Sequence, residues 1–260
     1  MALRGSLFRL LKTQLNHSCQ QSRAQSVAVL GAPFSRGQKR RGVEHGPKVI
    51  RDAGLIDRLS ALDYSVHDFG DLTFPKIDKD EPYMGVRSPR NVGAATKKLS
   101  GAVSRAIGAG HTLVMLGGDH SLAMGSVEGH AQQCPDLCVI WVDAHADLNT
   151  PMTSPSGNLH GQPVAFMLKE LQDKVPDLPG FGWMKPFLTS RDIVYIGLLS
   201  VMDLVEVNPI LGATPEAIET TASLAVDVIA SSLGQTREGA HGALHEIPAV
   251  NAEDTEQLRL

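Results

Sequence analysis

Much of what bounds this 260-residue chain is what it has little of. Three cysteines, Cys19, Cys134 and Cys138, have no C-x-x-C spacing. That excludes a disulfide framework and a cysteine zinc site, and it points to a reducing compartment. No apolar run approaches the ~20 residues of a membrane span, so no membrane is expected. The net charge is only −4, so nothing global suggests a nucleic-acid partner. No internal repeat is present. No Asp or Glu occurs before Glu44.

That last absence gives the N-terminus its character. Arg4, Arg9, Lys12 and Arg23 are interleaved with Leu3, Leu7, Leu11 and Leu15, four residues apart. Such spacing stripes one face of a helix. A basic, acid-free, amphipathic segment is the composition of a mitochondrial transit peptide, and too many cations interrupt it for a secretory signal. Residues 1–25 are therefore read as a leader, and 26–260 as the folded domain. With 42% hydrophobic and 20% charged residues, the rest is an ordinary globular chain with enough apolar content for a core.

Apolar runs at 26–31, 64–69, 111–116 and 137–142 predict strands. Helical patterns are expected at 47–62, 89–107, after Ser121 to about 133, at 162–171 and at 215–232. Alternating strands and helices imply an α/β domain with a mostly parallel sheet. Ligands of such sheets sit at the carboxyl ends of the strands. Near 198–200 the rhythm fails. The runs 192–197 and 201–207 both read as strands, yet only Leu198-Leu199-Ser200 separate them. A parallel crossover needs about a dozen residues, and leucines are poor turn residues. Either the two runs form one long strand, or a piece of the usual chain is missing there.

At one strand end lies Trp141-Val142-Asp143-Ala144-His145-Ala146-Asp147. Continued strand geometry would point Asp143, His145 and Asp147 to one face. Two carboxylates and an imidazole suit a hard or borderline divalent cation such as manganese. His120, in Gly117-Gly118-Asp119-His120-Ser121, follows a different strand and shares that address.

These stretches, with Ser156-Gly157-Asn158-Leu159-His160-Gly161 and Val205-Glu206-Val207-Asn208-Pro209, resemble the ordered motifs of the arginase family. The basic leader is similar to that of its mitochondrial form, placed in the matrix. The resemblance implies a three-layer αβα fold with a mostly parallel central sheet, a trimer, and two bridged Mn2+ ions per subunit. It implies hydrolysis of L-arginine to L-ornithine and urea by a metal-bound hydroxide. By the same resemblance His120, Asp143, His145 and Asp147 are metal ligands, with Asp143 bridging. His160 is the proton carrier, as suits an imidazole near neutral pH. Asn149, Ser154 and Ser156 bind the amino-acid end of the substrate, and Glu206 is the counter-charge of its guanidinium. Asp119 is expected to support His120.

The family also has an Asp-x-Asp pair on a later strand, within Phe-Asp-x-Asp-x-x-Asp-Pro. This chain has no such pair; Asp192, Asp203 and Asp227 stand alone on its C-terminal side. The expectation is a sheet missing one or more strands, exposed apolar surface, and an incomplete second metal site. Two alternatives to an active enzyme of this type follow. One is a catalytically silent variant that binds one ion or joins other subunits. The other is an agmatinase-like hydrolase, against which the Ser-Gly-Asn-Leu-His-Gly loop argues.

Overall fold

The computed structural model describes residues 26–196, 208–211 and 214–232. The expected leader, the junction at 198–200 and the strand expected over 201–207 lie outside them.

Strand β1 (Ser26–Gly31) is the centre of a three-stranded parallel sheet, flanked by β2 (Ser65–Asp71) and β3 (Thr112–Leu116). Its sequence is apolar throughout because both faces are covered. Val27 and Val29 face α1 (Gly46–Asp52), α2 (Leu55–Ser60) and α6 (Pro215–Ser232), where Ile50, Leu55, Leu59, Ala225 and Val226 close one core. Leu30 faces α3 (Pro89–Gly108) and packs with Val92, Ala95, Leu99 and Val103. Helix α4 (Ala123–Ala131) lies against α3. Helix, sheet, helix is the expected three-layer order.

Two helices differ from the expectation. The pattern at 47–62 is split, because Gly54 adopts φ 90°, a left-handed conformation that glycine takes without steric penalty. The helix expected over 162–171 is only α5 (Pro163–Met167). Leu168 turns extended and bridges to Leu188, whose amide bonds Met167 O at 2.9 Å. That contact with a distant segment overrides local helix propensity.

The parallel sheet comes in two pieces. Strand β4 (Val139–Val142) pairs with β5 (Ile193–Ile196), and among the described residues neither hydrogen-bonds to β3. On one face of this pair Trp141 and Ile193 pack with Val164, Met167 and Leu188. On the other, Ile140 stands opposite Val194 and Val142 opposite Ile196, with exposures of 63%, 49%, 48% and 52% respectively. Exposed apolar surface is what absent inner strands were expected to leave. No helix among the described residues is long and apolar enough to cross a membrane.

Candidate metal centre

The centre begins where β3 ends. Asp119, fully buried, accepts hydrogen bonds from Ser121 N (3.0 Å) and Ser121 Oγ (2.5 Å) on Oδ1, and from Gly37 N (2.8 Å) on Oδ2. It is the N-cap of the short turn His120–Leu122, which satisfies amides that would otherwise be buried unpaired. The cap fixes the backbone of His120. Its ring stacks on Trp141, with centroids 4.8 Å apart and planes 27° from parallel. Asp119 thus has the supporting role expected of it, and Trp141 is a support that the sequence reading did not single out.

His120 Nδ1 lies 3.0 Å from Asp143 Oδ2 and 2.8 Å from Asp147 Oδ2. Both carboxylates are buried. One ring nitrogen carries at most one proton, so it cannot serve both oxygens as donor. Asp147 Oδ2 is left buried with no hydrogen bond. The ligand atoms of His120, Asp143 and Asp147 all lie within 4.8 Å of one another. A polar oxygen buried without a donor is costly unless a cation completes it. Two carboxylates and one imidazole therefore fit one divalent ion.

His145 does not converge with them. Its backbone N–H bonds Asp143 Oδ1 at 2.8 Å. Its ring Nδ1 is 3.4 Å from that oxygen, and its side chain is 82% exposed. Strand geometry stops at Val142, so the period of two that would have aligned all three side chains fails at the first turn. Asp147 returns to the site by another route. Its φ is 49°, in the left-handed region that Asp tolerates better than most residues. Val164 N bonds its carbonyl at 3.2 Å, and the Tyr195 hydroxyl bonds the Ala146 carbonyl at 3.0 Å. With His145 turned out, and no later Asp-x-Asp in the sequence, the described residues do not fit a second ion at this centre.

The electrostatics follow from this packing. Burial pushes the Asp143 carboxyl up. The hydrogen bonds from His120 and the His145 amide, with the charges of the two imidazoles, outweigh it and hold the group below its ordinary value. Tyr195 moves the other way, to about 12, because burial and the negative charges of Asp147 and Asp143 all oppose a phenolate. Tyr195 is thus a neutral donor beside the carboxylates. Its only sequence signal was a place at a strand end on the same side of the sheet.

The other expected residues sit on the loop 148–162. Asn149 Oδ1 accepts from Thr153 Oγ1 at 3.3 Å, Ser154 Oγ from Gly157 N at 3.2 Å, and Ser156 Oγ from Asn158 N at 3.3 Å. Each braces its own turn. His160 is tied by its backbone, His160 N to Gly37 O at 3.0 Å. Its side chain lines a cavity of about 310 Å3 with Gln38, Lys39, Arg40, Asn158 and Asn208. In that wall Gln38 Nε2 and Asn158 Oδ1 are buried with no partner; neither residue was assigned a role from sequence. Glu206 lies outside the described residues.

The model of the Arginase family matches residues 25–202. "Arginase, non-hepatic 2" of Xenopus laevis is 49% identical over 333 residues, covering 93% of this chain and 92% of the relative. "Arginase-2, mitochondrial" of Homo sapiens is 45% identical over 345 residues, covering 98% of this chain and 97% of the relative. That alignment is longer than the chain, so about 90 of its positions face no residue here. Among solved structures, arginase from Bacillus caldovelox superposes with a TM-score of 0.67 at 26% identity, over 82% of this chain and all of that one. Arginase from Bacillus subtilis gives 0.56 at 33% identity, over 75% and 69%. The buried His–Asp–Asp group at two strand ends, the three-layer fold and these relatives lead to one conclusion: the chain belongs to the arginase family of hydrolases.

Proposed function

We propose that this chain is a manganese-dependent ureohydrolase that hydrolyses L-arginine to L-ornithine and urea, with one ion held by His120, Asp143 and Asp147. The observation that carries the reading is the buried Asp147 Oδ2, which has an imidazole and a second carboxylate beside it and no hydrogen bond. Oxygen-rich ligation with one nitrogen suits manganese. The chemistry such an ion supplies is Lewis-acid activation of water at neutral pH.

The chain's own residues do the remainder. Asp143 and Asp147 supply two negative charges against the cation, and the Asp119 cap and the Trp141 stack hold His120 in place. Asn149, Ser154 and Ser156 hold the α-amino and α-carboxylate end of the substrate. Glu206 offsets the guanidinium charge. As the water oxygen bonds to the guanidinium carbon, the bond from that carbon to the side-chain nitrogen breaks. His160 delivers a proton to that departing amine. Residues 1–25 act as a leader to the mitochondrial matrix, a reading supported by the names of several relatives. Assembly into a homotrimer belongs to the same proposal.

A second reading is favoured by three specific observations. His145 is exposed, the later Asp-x-Asp is absent, and about 90 aligned positions of a relative have no counterpart. On that reading an internal segment has been skipped near 198–200, and the protein is a catalytically silent arginase variant. One experiment separates the two: Mn2+ titration with urea release from L-arginine on purified full-length protein. One equivalent of ion with turnover supports the hydrolase. One equivalent with no turnover, in a chain folded by circular dichroism, establishes the silent variant. Two equivalents overturn the single-ion centre.

A further inference from the structure

The three-stranded sheet carries a second group of ligating side chains at the end opposite the His120 centre. His67 is in β2, and His111 immediately precedes β3. Ala28 of β1 stands between them, paired with His67 on one side and with Leu113 on the other. Side chains two apart share a face of a strand, so His111 lies on the face of Leu113 and hence of His67. Strands β2 and β3 are next-nearest neighbours, about 9.6 Å apart. Their two imidazoles nevertheless lean together over the small Ala28, to a centroid distance of 4.9 Å with planes at 52°.

Each ring is oriented by a serine hydroxyl. Ser26 Oγ is 2.7 Å from His111 Nδ1, and Ser65 Oγ is 3.2 Å from His67 Nε2. Phe69 packs edge-on against His111 at 5.7 Å. When the serine oxygen accepts the N–H of the nitrogen it touches, the other ring nitrogen keeps its lone pair for a metal. Here the remaining nitrogens are His111 Nε2 and His67 Nδ1, on two rings already in contact. Two bonds of about 2.0–2.1 Å from imidazole nitrogen to an ion join nitrogens up to about 4 Å apart, within reach of rings whose centroids are 4.9 Å apart. His67 is exposed and His111 half-buried, so water completes the coordination.

We infer that His67 and His111 form a second metal site, a two-imidazole clamp for a borderline transition-metal ion of the zinc, nickel or copper class. Its ligand chemistry differs from that of the His120 centre. Paired imidazoles favour Cu2+, Ni2+ and Zn2+, whereas carboxylates favour Mn2+. The sites are also independent in space. The length of β3 alone, five residues, separates their ends by roughly 16 Å.

The test is a Cu2+ titration of the full chain carrying Asp143→Ala and Asp147→Ala, followed by electron paramagnetic resonance. The expected result is one equivalent of Cu2+ with two imidazole nitrogens in its plane. Adding His67→Ala or His111→Ala should weaken it at least tenfold and remove one nitrogen from the spectrum. His67→Gln, a polar replacement at an exposed position, should do the same with an unchanged circular dichroism spectrum. Ser26→Ala should weaken binding while both nitrogens stay. Copper uptake and nitrogen count that are unaffected by His67→Ala and His67→Gln would overturn the proposal.

Discussion

Asp119 and His160 are held in register by a single residue: Gly37 donates its N–H to Asp119 Oδ2 at 2.8 Å and accepts the His160 N–H on its carbonyl at 3.0 Å. The first loop of the chain thereby ties together the strand end that carries His120 and the loop that carries the expected proton carrier. There is no room for a side chain at that tie. A Cβ on Gly37 would stand 2.4 Å from both Asp119 Oδ1 and Ser121 Oγ. Gly37→Ala should therefore destabilise the fold by about 1–3 kcal/mol through overpacking. It should also lower Mn2+ affinity, because the cap that sets His120 must move. Thermal unfolding with and without Mn2+ measures both effects; an unchanged midpoint in the two conditions contradicts the tie.

The metal centre makes a sharp distinction among the four residues first assigned to it. His120→Ala, Asp143→Ala and Asp147→Ala should each reduce Mn2+ affinity by more than the roughly 10–100-fold typical of supporting groups. His145→Ala should leave it nearly unchanged, since that ring is exposed and turned away. Free Mn2+ followed by magnetic resonance across the four variants provides the comparison. Equal losses in all four variants would show that His145 swings in when the ion binds.

Tyr195 offers a test of the loop that carries the ligands. Its hydroxyl is the only side-chain donor on the Ala146 carbonyl among the described hydrogen bonds. Tyr195→Phe should loosen the turn between Asp143 and Asp147 and weaken Mn2+ binding roughly tenfold or more, as loss of an outer partner does. In the metal-free protein, a phenol that ionises at about 12 should disappear from the ultraviolet pH titration. An unshifted tyrosine in its place would show that burial and the two carboxylates do not act on it.

Acid stability should register a separate brace under β2. Arg51 grips Asp68 through two bonds, Nε to Oδ2 at 2.9 Å and a terminal nitrogen to Oδ1 at 3.0 Å, and reaches Asp71 at 2.6 Å. Burial pushes the Asp68 carboxyl up, but the Arg51 fork, the Gly70 amide and the guanidinium charge hold it below its ordinary value. A depressed carboxyl adds stability above its unfolded pKa, near 3.9. That stability is lost as pH falls through the folded value. Asp68→Asn should therefore lower stability by about 1 kcal/mol at neutral pH, a figure held down by the partial exposure of the pair. Urea unfolding at neutral pH and again in the acid arm should show the difference shrinking as the medium becomes more acid.

The layers of the fold were legible because buried strands announce themselves. SVAVLG has no polar interior position, and both of its faces prove to be covered. His120, Asp143 and Asp147 were legible because each follows a strand and lies at the same end of the sheet. His145 is turned away from its neighbours because a period of two holds only while the chain is a strand, and the strand ends at Val142. Gly37 left no local signal, and Tyr195 only its place at a strand end. Their roles come from residues more than forty positions away in sequence, brought near by the sheet. The helix over 162–171 failed for the same reason, since Leu188 holds Leu168 extended.

The bare face of β4 and β5 sets practical terms for all of these measurements. Ile140, Val142, Val194 and Ile196 form a small greasy plateau beside the metal centre. Attraction between such surfaces weakens as water is cooled. Chains that clump at room temperature should accordingly disperse in the cold, and dilution should help by mass action. A refrigerated, dilute sample is therefore the state in which metal uptake reports on single molecules rather than on their clusters.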